Sequence, residues 1–232
     1  MSDGLVKQQN HAGRTQNAAD QLAWHGWIEA YIGRYVLARE LCRKAVKAGE
    51  DHEYVFDLCA KALGTAGDEA GAAEMAERKD RLLPEDTRNQ KMCQPEFRSI
   101  IERKSGNAAK AVDVLLPAEQ YEQGVATDIP YELGQAYLTA GQGAKAAAEF
   151  EKILDHRGWE DWELFAPLAQ IGLARAYALQ GDREDSRKAY EDFFTTWKDA
   201  DPDIPILRQA KAEYKKLTAT TSEAVSASLK KQ

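Results

Sequence analysis

The chain lacks the residue patterns that mark the common classes of enzyme, membrane protein and strand-rich protein. It contains no glycine-rich phosphate loop followed by lysine, no HExxH or GxSxG motif, and no cysteine or histidine pairs at metal-ligand spacing. We therefore expect no catalytic residues, no cofactor and no metal. It also has no run of eighteen apolar residues and no signal-like N-terminus, so we expect a cytoplasmic protein that does not bind membranes.

Positive charge and cysteine are also scarce. The 232 residues include 31 Lys and Arg against 38 Asp and Glu, a net charge of -7, which argues against nucleic-acid binding. The three cysteines suit a reducing compartment. Helical register places Cys42 and Cys59 near one another in the core, where inert buried thiols are favoured over a redox pair because no basic cluster lowers their pKa.

The chain does contain a fivefold recurrence of a glycine followed five residues later by a small residue. The pairs are Gly33/Ala38, Gly67/Ala72, Gly106/Ala111, Gly141/Ala146 and Gly181/Ser186. An apolar residue commonly lies eight positions before the glycine, and apolar residues follow the small residue by four and seven positions. The glycines are 34, 39, 35 and 40 residues apart. Two of these intervals fit the period of a helical-hairpin repeat, and the other two contain an insertion of roughly five or six residues.

Each of these positions has a physical role in a helical hairpin. The glycine adopts a left-handed conformation that reverses the chain, and the small residue lets the two helices approach closely. The large residues Tyr137, Phe150, Tyr177 and Tyr190 then fill the space between neighbouring hairpins. The positions match the tetratricopeptide signature. We therefore predict an all-α fold, a right-handed α-solenoid of about five tetratricopeptide-like hairpins with a C-terminal capping helix.

We predict four segments along the chain. Residues 1–19 are either the remnant helix of a truncated repeat or a frayed tail, and residues 20–200 form the repeat array. Residues 201–217 form the capping helix, and residues 218–232, rich in Ser, Thr and Ala, are predicted to be a mobile tail. The apolar stripe of the capping helix comprises Ile206, Leu207, Ala210, Tyr214 and Leu217.

Two insertions lengthen the repeat, and we predict both as loops between hairpins. The first lies at residues 84–95 and the second at residues 156–163. In the second, the acidic stretch 159–163 carries Trp159 and Trp162, which either form a second contact surface or fold back onto the helices; folding back is favoured. His156 is interpreted as a solvated loop residue, and His25 as a packed or half-exposed one.

Three stretches support a narrower resemblance: GQAYLTAGQGAKAAAEFEKILDHRG at 134–158, GLARAYALQGD at 172–182 and WKDADPDIPIL at 197–207. They resemble the C-terminal tetratricopeptide region of a group of bacterial serine/threonine protein kinases and related signalling proteins, over roughly Ala23 to Leu217. The resemblance implies a sensor or partner-docking module beside a catalytic or DNA-binding domain. It implies no kinase activity here, because the chain has no HRD or DFG motif.

In repeats of this type the first helices line the concave face. Residues at the positions exposed there form the predicted partner-binding set: Trp27, Tyr31, Lys61, Ile100, Arg103, Lys104, Gln135, Leu138 and Arg175. Aromatic and cationic groups in an acidic protein suit a protein or peptide partner with acidic groups. The alternative is ordinary solvated surface. The lysine and asparagine arrangement with which chaperone-binding relatives clamp a C-terminal carboxylate is not reproduced.

The leading hypothesis is a non-enzymatic protein–protein interaction scaffold that binds its partner on the concave face, in bacterial signalling. The alternative is a regulatory sensor domain that binds a small molecule and controls a separate kinase or transcription domain; an enclosed pocket would favour it. An enzyme is a third hypothesis, which a deep cleft with convergent carboxylates would support.

Overall fold

The computed structural model describes the backbone of residues 2–49, 51–121, 127–156, 158 and 162–229, and their side chains from residue 16 to 219 apart from Trp162. Within these ranges the secondary structure comprises eleven α-helices, a π-helical turn and a 3-10 turn, with no β-strand. The predicted all-α class is confirmed.

The helices form five hairpins in chain order, followed by one more helix. The bounds are α1 (Ser2–Tyr31) and α2 (Tyr35–Gly49), α3 (Glu53–Thr65) and α4 (Glu69–Leu82), α5 (Gln94–Lys104) and α6 (Ala108–Leu115), α7 (Asp128–Thr139) and α8 (Gly143–Asp155), α9 (Trp162–Gln180) and α10 (Arg183–Thr196), then α11 (Pro205–Leu229).

The same backbone motif closes the first helix of each hairpin. The five glycines that the sequence places at the turns have positive φ angles: Gly33, Gly67, Gly106, Gly141 and Gly181, between 73° and 93°. At the first turn Gly33 N–H donates to the carbonyl of Ala30 and Arg34 N–H to that of Glu29. The other four turns repeat both bonds, which together make the Schellman motif. The hairpin turns are therefore where the sequence predicts them.

The small residues five positions after these glycines lie at the helix crossings. Ala38, Ala72, Ala111, Ala146 and Ser186 are all fully buried. Ser186 satisfies its hydroxyl by donating to the carbonyl oxygen of Ala174 on the partner helix, at 2.8 Å. A larger side chain at these positions would separate the two helices of the hairpin.

Two compact units contain the hairpins. The N-terminal unit, Met1–Tyr121, holds the first three hairpins, and the C-terminal unit, Glu122–Gln232, holds the last two with α11. In the N-terminal unit α3 packs against both α1 and α5, and in the C-terminal unit α7 packs against α9. We call these side-by-side first helices the first-helix layer of each unit.

The last helix covers the end of the C-terminal unit. Leu207 and Ala210 of α11 pack into a core with Tyr190 and Phe193 of α10, and Ile206, Tyr214 and Leu217 are partly buried against it. The predicted capping stripe is therefore the packed face. The helix itself extends to Leu229, beyond the predicted end at residue 217, and residues 230–232 lie outside the described range.

The first helix of the array is longer than the sequence predicts. The backbone of residues 2–19 belongs to α1, a single helix of 30 residues that continues into the first hairpin. No turn signal interrupts the chain before Gly33, so the segment extends the first helix of hairpin 1 instead of forming a separate remnant.

The first insertion, at residues 84–95, is predicted as a loop. This prediction is wrong, because part of the insertion is helical. A π-helical turn at Asn89–Cys93 runs directly into α5. Asp86 starts it by accepting from the backbone N–H of Asn89 at 2.7 Å, and Gln94 Nε2 donates to the carbonyl of Ala76 on α4 at 2.9 Å. The buried hydrogen bond from Gln94 holds the segment on α4. A π turn contains one more residue than an α-helical turn, so it accommodates an inserted residue without breaking the helix.

Half of the second insertion, residues 156–163, lies outside the described residues. This applies to Arg157 and to residues 159–161, including Trp159, while α9 already begins at Trp162. The proposed surface at 159–163 therefore stays a prediction.

Candidate partner-binding surface

Four of the nine predicted partner-binding residues are buried, so the prediction of their exposure is wrong. Trp27, Tyr31, Ile100 and Lys61 are each at most 5% exposed. The Trp27 ring packs between Trp24 and Tyr31, with ring centroids 4.9 Å and 5.5 Å away. Ile100 packs against α3 so closely that a Cβ atom on Gly64 would come within 2.8 Å of it. Ile100 and Lys61 therefore lie in the contact between the first helices α3 and α5.

Two predicted residues remain accessible on the N-terminal unit. Arg103 is half-buried and Lys104 is exposed, both in the last turn of α5. The Lys104 ammonium lies 5.3 Å from the ring centroid of Tyr35, at the start of α2. This distance suits a cation–π contact that holds the lysine beside the aromatic ring.

The other three predicted residues are half-buried on the C-terminal unit. Gln135 and Leu138 lie on α7 and Arg175 on the neighbouring α9. Arg175 Nε donates to Glu213 Oε2 of α11 at 3.0 Å, and the Tyr190 hydroxyl donates to the same oxygen at 2.8 Å. Burial and the Glu213 carboxylate raise the pKa of Tyr190. The guanidinium is therefore held in one orientation.

Lys61 belongs to a buried group that sequence reasoning missed, which we call the charged cluster: Asp57, Lys61, Lys79, Cys93 and Glu96. Lys61 Nζ lies 3.3 Å from Asp57 Oδ2 and 3.3 Å from Glu96 Oε2. Lys79 of α4 donates to Asp57 Oδ1, and its Nζ lies 3.6 Å from Cys93 Sγ. The cluster joins α3, α4, the π turn and α5.

The electrostatics of the charged cluster stabilise its ion pairs. Burial alone would raise the pKa of Asp57, but the ammonium groups of Lys61 and Lys79 outweigh it and hold the pKa below its ordinary value. Burial likewise opposes the charge on Lys79, and Asp57 outweighs it, so the pKa of Lys79 is raised. Burial, with Asp57 nearby, raises the pKa of Cys93 to about 12. A charged lysine and a protonated thiol are both poor nucleophiles at neutral pH.

A signal for this cluster is present in the sequence. Asp57 and Lys61 are spaced i, i+4 within a segment whose other residues are mostly apolar, from Val55 to Leu63. Charged residues in such a segment are buried with it, and buried charges are found paired. The partners Lys79 on α4 and Glu96 on α5 are not distinguished by any such sequence pattern.

The expected proximity of two cysteines is confirmed. Cys42 and Cys59 are buried and free, and the Cys59 thiol points at the carbonyl oxygen of Cys42 with Sγ 3.9 Å away. The hydrogen bond with Cys42 and burial raise the pKa of Cys59 well above its ordinary range. The pair is part of the packing between α2 and α3.

Other kinds of site find little support within the described residues. In that part of the chain no three His, Cys, Asp or Glu side chains are grouped so that they could hold a metal ion. None of the helices described is both long and apolar enough to cross a bilayer. His25 and His156 are both exposed.

Comparison with solved structures identifies the architecture. The chain is similar to the crystal structure of a thermophilic TPR protein from Thermus thermophilus, with a TM-score of 0.60 over 87% of this chain and 100% of that one. The fold is tetratricopeptide-like. The two sequences are 20% identical, so the similarity concerns the fold. No protein-family model matches the tetratricopeptide-like chain, and no curated protein matches it.

Proposed function

We propose that this tetratricopeptide-like protein is a non-catalytic scaffold that binds a peptide or protein partner on its first-helix layers. The observation that supports this is the accessibility of five of the nine predicted positions, with mixed chemistry: Arg103, Lys104, Gln135, Leu138 and Arg175. Cations bind partner carboxylates, the amide pairs with backbone groups, and Leu138 offers apolar area.

The accessible set suits an acidic partner because its charged members are all cationic in a protein of net charge -7. Arg175 is oriented beforehand by Glu213, which lowers the entropy lost when it binds a carboxylate. The resemblance to repeat regions of bacterial signalling kinases supports a role in bacterial signalling, as a docking module for another protein.

A small-molecule sensor is the alternative. That function calls for an enclosed pocket on the first helices. One pocket among the described residues lies at the start of α2, and it is an open groove lined by exposed side chains such as Val36.

The test compares two sets of neutralising substitutions in capture of partners from cell extract. The first set, Arg103→Gln, Lys104→Gln and Arg175→Gln, removes the cations of the first-helix layers; glutamine at 175 can still donate to Glu213. The matched control set, Arg43→Gln, Arg183→Gln and Lys188→Gln, removes the same charge from exposed positions of second helices. Thermal unfolding checks that both sets fold.

We expect the first set to lose captured partners and the control set to retain them, since exposed charges affect association more than folding. Equal recovery by both sets would place the binding site elsewhere. A wild-type chain that captures no specific partner would contradict the scaffold function.

A further inference from the structure

The first turn of α2 exposes three consecutive apolar side chains, which we call the α2 patch: Tyr35, Val36 and Leu37. They are 41%, 77% and 39% exposed. With Gly33, Arg34 and Glu40 they line an open groove of about 440 Å³. Single exposed apolar residues are common on protein surfaces, whereas a contiguous group marks an interaction site.

The repeat itself supplies a comparison for this patch. The residues at the same positions of the other four hairpins are small or charged: Glu69, Ala70 and Gly71, then Ala108, Ala109 and Lys110, then Gly143, Ala144 and Lys145, then Arg183, Glu184 and Asp185. All five hairpins have the same turn geometry. The turn therefore does not require apolar residues here, and their presence in hairpin 1 calls for another reason.

The start of α2 also differs in charge from two of its four counterparts, while α6 and α8 likewise have no side-chain cap and no acidic residue in the first turn. In hairpins 2 and 5 an aspartate caps the second helix, since Asp68 accepts from Gly71 N–H at 3.0 Å and Asp182 accepts from Asp185 N–H at 3.3 Å. The equivalent residue in hairpin 1 is Arg34, whose side chain has no acceptor atom. No acidic residue lies in the first turn of α2. This helix end therefore keeps its positive character.

Cations lie around the apolar side chains. The Lys104 ammonium is 5.3 Å from the Tyr35 ring centroid. Arg34, whose Nη1 lies 3.7 Å from Glu29 Oε2, is part of the groove with a third of its side chain exposed. The acidic residue of the groove, Glu40, is matched by Lys44 at 2.6 Å. A partner whose apolar side chain fills the groove therefore places its neighbouring groups among positive charges.

We propose that the α2 patch docks a short peptide segment of a partner protein, in which a large apolar side chain is adjacent to Asp or Glu. The apolar side chain packs against Val36 and Leu37, and the carboxylate lies near Lys104, Arg34 and the start of α2. The inference rests on the proposed scaffold function and adds a contact at the turn end of hairpin 1.

The experiment uses a phage-displayed random peptide library selected against the full chain. Enriched peptides are synthesised with a fluorophore, and their Kd is measured by fluorescence anisotropy for wild type, Val36→Asp and Ala144→Asp. The control residue Ala144 is exposed and holds the position of hairpin 4 that Val36 holds in hairpin 1. An aspartate in the first helical turn favours the helix in both variants, so both should fold.

We expect enriched peptides to carry Leu, Ile, Phe or Trp next to Asp or Glu. Val36→Asp should weaken their binding by about tenfold or more, as removal of an apolar anchor does at an interface. Ala144→Asp should stay within about twofold of wild type, because substitutions outside the contact are nearly neutral. Lys104→Gln should weaken binding and reduce its dependence on salt.

Three outcomes would overturn the inference. In the first, the peptides bind Val36→Asp as tightly as wild type but lose affinity for the double variant Gln135→Ala, Arg175→Gln. This result would move the site to the first-helix layer and would still be consistent with the scaffold function. An association of the chain with itself, seen by sedimentation and lost in Val36→Asp, without peptide binding, would assign the patch to a second copy. A library that enriches no peptide would also reject the docking role, and the capture experiment then decides the scaffold function separately.

Discussion

The ring of Phe150 lies so close to Gly172 that a Cβ atom on that glycine would come within 2.5 Å of Phe150 Cζ. Gly134 faces the same ring from α7, where a Cβ atom would be 2.6 Å from Cε1. The ring of α8 is therefore enclosed by the first helices of hairpins 4 and 5, and it is fully buried. Glycine is required at positions 134 and 172 because the Phe150 ring occupies the space that a side chain would need.

This contact predicts that the effect of Gly172→Ala on the free energy of unfolding depends on the residue at position 150. The substitution should destabilise wild type and stabilise the Phe150→Leu variant. In wild type the added methyl group overpacks the core at a cost of about 1 to 3 kcal/mol, which exceeds the roughly 1 kcal/mol that alanine gains in a helix. In Phe150→Leu the ring atoms that clash are gone, so the same substitution should stabilise. Chemical denaturation of the four proteins measures the coupling free energy. Equal effects in both backgrounds would contradict the close contact.

Asp57→Asn should destabilise the N-terminal unit. The substitution removes a carboxylate that pairs with both Lys61 and Lys79. Lys61 keeps Glu96 and Lys79 keeps Glu53, so we expect a cost of about 1 to 3 kcal/mol. Urea unfolding at neutral pH measures the loss. Asp113→Asn, an exposed aspartate of α6, serves as control and should change the unfolding free energy by less than about 0.5 kcal/mol.

The same pair of variants tests the pH dependence. The folded chain holds the pKa of Asp57 below that of an unfolded aspartate, about 3.9. The unfolded chain therefore takes up the proton first, and the contribution of Asp57 is present above about pH 4 and lost as the pH falls below it. We expect the unfolding free energy of Asp57→Asn to fall less steeply than wild type in that range. Parallel slopes would show that Asp57 has an ordinary pKa.

Gly106→Ala should cost about 1 to 2 kcal/mol through backbone strain alone. Gly106 has a φ of 85°, and no atom lies within 4 Å of a Cβ built on it, so a steric clash does not contribute. Gly106→Asn should cost less, because asparagine tolerates the left-handed conformation. Thermal unfolding of both variants makes the comparison, and equal losses would contradict a conformational origin.

The cysteine thiols should be unreactive in the folded protein. Cys42, Cys59 and Cys93 are buried, and the pKa values of Cys59 and Cys93 are raised, so little thiolate is exposed to reagent at neutral pH. Labelling with Ellman's reagent should proceed at the rate of unfolding and reach three thiols per chain in denaturant. Rapid labelling of one thiol under native conditions would show that it is accessible.

Local features of the fold could be predicted from the sequence because they depend on neighbours along the chain. A left-handed glycine such as Gly141 and a small residue such as Ala146 are required by every hairpin, whatever packs around it. The period placed all five turns at the correct glycine. The first insertion was different: Asn89 and Gln94 hold it as a helix through hydrogen bonds to Asp80 and Ala76 of α4 that no local pattern records.

The exposure of the candidate site was decided by the tertiary structure. Register alone placed Trp27 and Lys61 on an open face, but Trp27 is 1% exposed and Lys61 of α3 is paired with Glu96 of α5. Burial depends on which residues of distant segments approach, and periodicity within one helix does not contain that information. Sequence patterns were sufficient to predict the helical hairpins, their turns and the packed face of α11. Which side chains remain accessible to a partner depends on tertiary packing, because accessibility is a property of the space between helices.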